Sequence, residues 1–218
     1  KSLIFTYPWG YFGFEFSLKL YHFNSFLIVL SAALSFLVAL FSSRFMQGKN
    51  CLKQFYAYFL ITFSFVNGAL LSDNLILLLF FWEGALLSIF GLIAIGGKNS
   101  FRTATKAFII NGITDLCMMA GVALTVCLAK TAVISKINLE LGPLAGLAFL
   151  LLVIGAISKA GSMPFHTWIP DAATDAPLPF MALLPAALEK LLGIYLLYRI
   201  TMDMFKLSAN SWASIFLM

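Results

Sequence analysis

The chain has 218 residues, of which 61% are hydrophobic and 11% charged, with a formal net charge of +5. A soluble domain carries about 25% charged residues, so the composition excludes a soluble globular enzyme and makes membrane spans the useful count. The bases sit in short loops between apolar runs, which excludes a nucleic-acid footprint, and Cys51, Cys117 and Cys127 form no metal or disulfide pattern.

Residues 1–22 alternate aromatic and other residues around Pro8, Gly10 and Gly13. They read as an interfacial hairpin or loop segment, with Trp and Tyr at headgroup level, and no cleavable signal peptide is visible. Six apolar runs follow: residues 23–45, 54–71, 75–95, 103–129, 144 to just past Lys159, and 178–199. Each is near the roughly 20 residues needed to cross a bilayer core. Ser72-Asp73-Asn74 reads as a helix stop followed by a fresh N-cap. The expected fold is therefore an all-α polytopic membrane protein with about six transmembrane helices in a bundle over 23–200. Residues 201–218 would begin a following segment, and because the first residue is Lys1, the chain is expected to belong to a longer protein. Arg44, Lys49 and Lys53 share one loop, and Lys98, Arg102 and Lys106 lie in the loop two spans later. Neither loop holds an acid, so that side is expected to be cytoplasmic. Asp73, Arg199 and Asp203 are assigned to the mixed-sign loops of the other side.

Within the spans remain Glu83, Asp115, Lys159, Glu189 and Lys190. A charge at mid-membrane costs roughly 2.5–3.5 kcal/mol on insertion scales. At about 1.5 Å per residue, Glu83 lies roughly 12 Å into its span, and the others reach similar depths. Acids and bases on four helices near one depth suit a proton relay, in which neighbours move each other's proton affinity. Each has a plainer alternative. Glu83 would pair structurally with a neighbouring base, Asp115 would bond locally to Asn111 and Thr114, and Lys159 would snorkel. Glu189 and Lys190 point about 100° apart on a helix, so each needs its own partner. After Lys159 the helix is interrupted by Gly161, Pro164, Pro170, Pro177 and Pro179, as expected where irregular backbone lines a polar path. His166, beside the break, is either a structural hydrogen-bonder or a proton relay. Asp171 and Asp175 are expected at a water-filled mouth. No metal spacing, nucleophile–base pair, dinucleotide-binding glycine pattern or haem motif is present.

The run S-D-N-L-I-L-L-L-F-F-W-E-G-A, followed far downstream by S-K-A-G-S-M-P-F-H-T-W-I-P-D-A-A-T-D-A-P, resembles the antiporter-like subunits of respiratory complex I. The resemblance extends to matching subunits of energy-converting hydrogenases, formate hydrogenlyases and Mrp-type cation/proton antiporters. It implies the first half of an inverted-repeat fold with one broken helix. It also implies a gating ion pair between Glu83 and Lys159, with Asp115 as an accompanying acid. Gly112 stands where the family usually has a base beside that acid, and Pro185 stands where complex I has histidine, which shifts the middle relay to Lys190. These departures favour an energy-converting hydrogenase-type or complex I-like redox complex, in which this chain would be the proton-translocating membrane subunit. The alternative is an Mrp-type sodium/proton antiporter without redox coupling, and a third reading is a scaffold that has lost conduction. The translocation residues would be Glu83, Lys159, Lys190, Asp115, Glu189 and His166, with the entrance at Asp171 and Asp175. No cofactor or metal is expected in this chain and no residue makes a bond to substrate. The resemblance implies as partners other membrane subunits and a peripheral redox arm. They would meet in the lipid bilayer of a bacterial or archaeal cytoplasmic membrane.

Overall fold

Strands β1 (Leu3–Trp9) and β2 (Phe14–Leu20) form an antiparallel hairpin, in register from Leu3 opposite Leu20 to Trp9 opposite Phe14. The structure, a computed structural model, describes residues 2–9 and 14–207. Residues 10–13 of the aromatic segment and 208–218 of the expected following segment lie outside the described residues. Helices α1 (His22–Phe45), α2 (Leu52–Leu71), α3 (Leu75–Ala94) and α4 (Ser100–Ala129) come next. All four are long and apolar enough to cross a membrane, and so is the continuous helical run Leu178–Met204. The Asn74 side chain caps α3, accepting from the backbone of Ile76 at 2.9 Å, as the Ser-Asp-Asn turn suggests.

The remaining expected span is α5 (Pro143–Lys159), with 17 residues. At about 25 Å it falls short of a ~30 Å hydrocarbon core. Pro143 opens it, where a missing N–H breaks no helical hydrogen bond. Gly161, at φ +70°, closes it: its N–H donates to the Ser158 carbonyl at 2.9 Å, and the Ser162 N–H donates to Ile157 at 3.0 Å. This pair of bonds is a Schellman closure, which needs the left-handed conformation that glycine adopts freely. Lys159 is therefore held in the final turn of a helix that stops short.

The proline-rich connection carries the short α6 (Ile169–Asp175) and leads into the last span. That span is built from α7 (Leu178–Leu183), a π turn over Leu184–Leu188, α8 (Glu189–Tyr198) and a second π turn over Arg199–Met204. Pro185 lies in the first π turn, where its missing N–H would interrupt a regular helix. Strands β3 (Leu139–Glu140) and β4 (Phe205–Lys206) add a short parallel pair, so the fold is mainly rather than wholly helical.

The most apolar windows of α3 and of the last span are each 61% buried, against 28% in α1 and 33% in α2 and α4. Those two spans therefore form the centre of the bundle. The outer helices turn large apolar side chains outward, among them Phe26, Val29, Phe36 and Leu37 of α1. This is the distribution of a polytopic membrane protein, apolar both inside and on its lipid face. α8 packs directly on α5 at Gly193: a Cβ there would meet the Ala156 carbonyl oxygen and the Ala160 nitrogen, each at 2.6 Å. That approach brings Glu189, one turn earlier, toward the end of α5.

Candidate functional site: a buried ionic cluster at the helix break

Lys159 is 1% exposed, and its ammonium lies 3.4 Å from Asp115 Oδ2 in a pair buried on both sides. The other carboxylate oxygen, Asp115 Oδ1, accepts from the indole N–H of Trp82 at 2.8 Å. The Lys159 Nζ also stands 5.2 Å from the Trp82 ring centroid, close enough for a cation–π contact. Next to the pair, Thr114 donates to Ser158 at 2.8 Å, joining α4 and α5 through their hydroxyls.

Two further carboxylates lie near this centre. Glu83 from α3 and Glu189 from α8 each lie within electrostatic reach of both Lys159 and Asp115. Each has a buried Oε1 with no hydrogen-bond partner among the described residues. Helices α3, α4 and α8 thus place three carboxylates within electrostatic reach of the ammonium on α5, and Asp115 pairs with it. Buried polar atoms are normally paired, so the two idle oxygens mark a place where a proton or a lysine can be accepted. The partner of Lys159 in this arrangement is Asp115. Glu83, the partner that the family resemblance implies, makes no ion pair among the described residues.

Glu189 and Lys190 separate as the 100° helical step requires: Glu189 is 3% exposed while Lys190 is exposed on the outside of the described bundle. The expected middle station, Lys190, is therefore not brought to Lys159, and Glu189 is. The closeness of α8 to α5 at Gly193 selects which of the two points inward. His166 is half-buried, and its Nδ1 has no partner among the described residues. Asn111, one turn from Asp115, has a buried Oδ1 without a partner among the described residues, although its amide donates to Ala107 at 3.0 Å.

Asp171 and Asp175 lie at the end of the bundle that carries Lys98, Arg102 and Lys106. Lys106 bridges Asp171 at 2.6 Å and also donates to the Thr167 carbonyl at 2.9 Å. Thr103 donates to Asp175 at 2.6 Å, and the Asp175 carbonyl accepts from Gly97 at 2.9 Å. The two aspartates therefore fasten the proline-rich connection to the start of α4. They also line a cavity of about 480 Å³ with Asn99, Arg102, Thr103 and Lys106.

A second buried cluster was not legible as such. Arg199, at 1% exposure, pairs with Asp73 at 2.8 Å and Asp203 at 2.6 Å and donates to the Tyr195 hydroxyl at 2.7 Å. Ser135 completes Asp73 at 2.6 Å. The available signal was an arginine directly after an apolar helical run, in Y-L-L-Y-R-I, which requires a partner wherever it ends.

Several proteins are similar to this chain. The family described as NADH:quinone oxidoreductase/Mrp antiporter, TM, matches residues 72–218, more than half of the chain. The Na(+)/H(+) antiporter subunit A1 of Staphylococcus epidermidis is 37% identical over 172 residues, covering 76% of this chain and 21% of the relative. The corresponding subunit of Staphylococcus haemolyticus is 31% identical over 209 residues, 92% of this chain and 26% of the relative. The chain thus spans about a quarter of the length of these relatives. Among solved structures, the Mrp complex from Dietzia sp. DQ12-45-1b matches with a TM-score of 0.85 and 25% identity, over 93% of this chain and 23% of that one. The archaeal membrane-bound sulfane sulfur reductase matches with a TM-score of 0.73 over 92% of this chain and 33% of that one; at 19% identity the likeness is one of fold. The helical membrane architecture, the W-E and lysine-break motifs and the match over residues 72–218 agree: the chain belongs to the NADH:quinone oxidoreductase/Mrp antiporter transmembrane family.

Proposed function

We propose that this chain is the first-repeat portion of an Mrp-type antiporter subunit that exchanges sodium for protons, and that Lys159 is its central proton carrier. The observation that carries the reading is a fully buried lysine facing one paired and two unpaired carboxylates at the end of an interrupted helix. The names of the relatives support the antiporter over the redox-coupled complex expected first. With the sulfane sulfur reductase the resemblance is only of fold, which lends a redox arm no support of its own.

The cycle runs as a transfer between neighbours. In the resting pair the Lys159 ammonium faces the Asp115 carboxylate. When Asp115 is neutralised by a proton or drawn away, the ammonium passes one proton to the Glu189 or Glu83 carboxylate, leaving a neutral amine and a neutral acid. Lys159 is then reprotonated from the Asp171–Asp175 end through His166 and water. The polar backbone of the break supplies groups to hold that water. Lys190 and the other membrane subunits would carry the path onward.

The test is transport by the full-length protein, assembled with its partner subunits in proteoliposomes. A sodium gradient without any electron donor is expected to drive proton movement, and Lys159→Ala is expected to reduce it to background. Wild-type exchange in Lys159→Ala would overturn the reading. Transport that requires an electron donor would return it to the redox-coupled alternative.

A further inference from the structure

The Trp82 side chain touches both members of the central pair. It is fully buried, its N–H donates to Asp115 Oδ1 at 2.8 Å, and its ring lies beneath the Lys159 ammonium at 5.2 Å. We propose that Trp82 is a positioning residue for ion translocation: its indole fixes Asp115 as the counter-ion of Lys159 and so keeps Glu83 and Glu189 idle. The proposal rests on the reading of Lys159 as proton carrier and adds to it the group that selects among three carboxylates.

The geometry supplies the selection. A carboxylate bonded on one oxygen by a rigid, fully enclosed donor presents its other oxygen in one direction, and Lys159 sits in that direction at 3.4 Å. The charged groups within electrostatic reach of Asp115 among the described residues are Lys159 from α5, Glu83 from α3 and Glu189 from α8. Only Asp115 has a fixed donor of this kind, since the buried oxygens of the two glutamates have none. Trp82 and Glu83 are consecutive residues of α3. A rotation of α3 that lifts the indole from Asp115 therefore moves the Glu83 carboxylate at the same time, which couples loss of one partner to arrival of another.

The experiment compares the pH profile of exchange by the assembled full-length complex in proteoliposomes. Trp82→Phe keeps an aromatic ring and removes the donor. A carboxylate that loses a donor takes up a proton more readily. The acid limb of the profile is therefore expected to move to higher pH by about one to two units, the scale of a hydrogen bond to a charged group. Trp82→His, which restores an N–H, is expected to move the limb back, and Trp82→Phe is expected to add nothing in an Asp115→Asn background. Trp168→Phe alters a tryptophan that is also buried but whose N–H has no partner among the described residues, and is expected to leave the profile in place. Should Trp82→Phe fail to assemble, 3-benzothienylalanine at position 82 fills the indole's space without its N–H and is expected to give the same shift. An unshifted profile in the donor-less variant, or a shift that persists in Asp115→Asn, overturns the role of Trp82. Lys159→Ala carried alongside separates the two failures, because wild-type exchange in that variant overturns the proton-carrier reading itself.

Discussion

Arg199 is gripped on two edges, and the two edges differ in their surroundings. The Asp73 side chain is 2% exposed, whereas the Asp203 side chain is 35% exposed. Removing one partner of a buried pair leaves a charge without compensation and costs about 3–5 kcal/mol, while a pair reached by solvent contributes about 0–1 kcal/mol. Asp73→Ala is thus expected to destabilise the protein by about 3–5 kcal/mol and Asp203→Ala by about 1 kcal/mol or less, read as thermal unfolding of the purified protein in one detergent. Equal losses would show that the two carboxylates share the guanidinium evenly. This cluster also marks a limit of the sequence reading. Asp73 and Arg199 each stand at the end of an apolar run, where a loop assignment is natural, and their meeting depends on two segments 126 residues apart. Lys159 and Glu83 were conspicuous because they interrupt apolar runs from within. Which carboxylate Lys159 takes was not legible, since that is decided by the indole of Trp82 on a third helix.

At the scale of elements, most boundaries follow from local chemistry. The Asn74 cap, Pro143 at the start of α5 and Gly161 at its end act within a few residues of themselves. The inward face of α8 depends on packing instead. Gly193 decides that face. Backbone atoms of α5 stand 2.6 Å from where a Cβ would be, and a backbone cannot swing aside as a side chain can. Gly193→Ala is therefore expected to cost about 1–3 kcal/mol, the range for overpacking, and to lower exchange by moving Glu189 away from Lys159. Gly112, in α4, has nothing within 4 Å of its would-be Cβ. Gly112→Ala is expected to be neutral or to stabilise by about 0.5–1 kcal/mol, as a glycine relieved from mid-helix does. Thermal unfolding and transport of the two variants, measured side by side, check the contrast. A Gly193→Ala protein as stable and active as wild type would show that α8 and α5 are not in close contact.

The bundle as a whole has two kinds of outer surface. On α1 the exposed side chains Phe26, Val29, Phe36 and Leu37 are apolar, as a lipid face requires. On the last span, Ala186, Lys190, Ile194 and Met202 are exposed along one side, and that side includes a lysine about midway through the span. Left against hydrocarbon, such a lysine costs roughly 2.5–3.5 kcal/mol, so this face is better satisfied by protein or water than by lipid. The relatives extend far beyond the stretch they share with this chain, which offers a source for the missing cover. In the full-length complex, with Cys51, Cys117 and Cys127 replaced by serine, a spin label at Ile194→Cys is expected to be shielded from dissolved oxygen. A label at Val29→Cys is expected to show the high oxygen accessibility of a lipid-facing site. The two positions are similarly exposed in the chain alone, at 56% and 68%, so composition of the face rather than its openness makes the difference. Equal oxygen accessibility at the two positions would place Lys190 against lipid. Its charge would then have to snorkel to the interface, and the relay would end at Glu189.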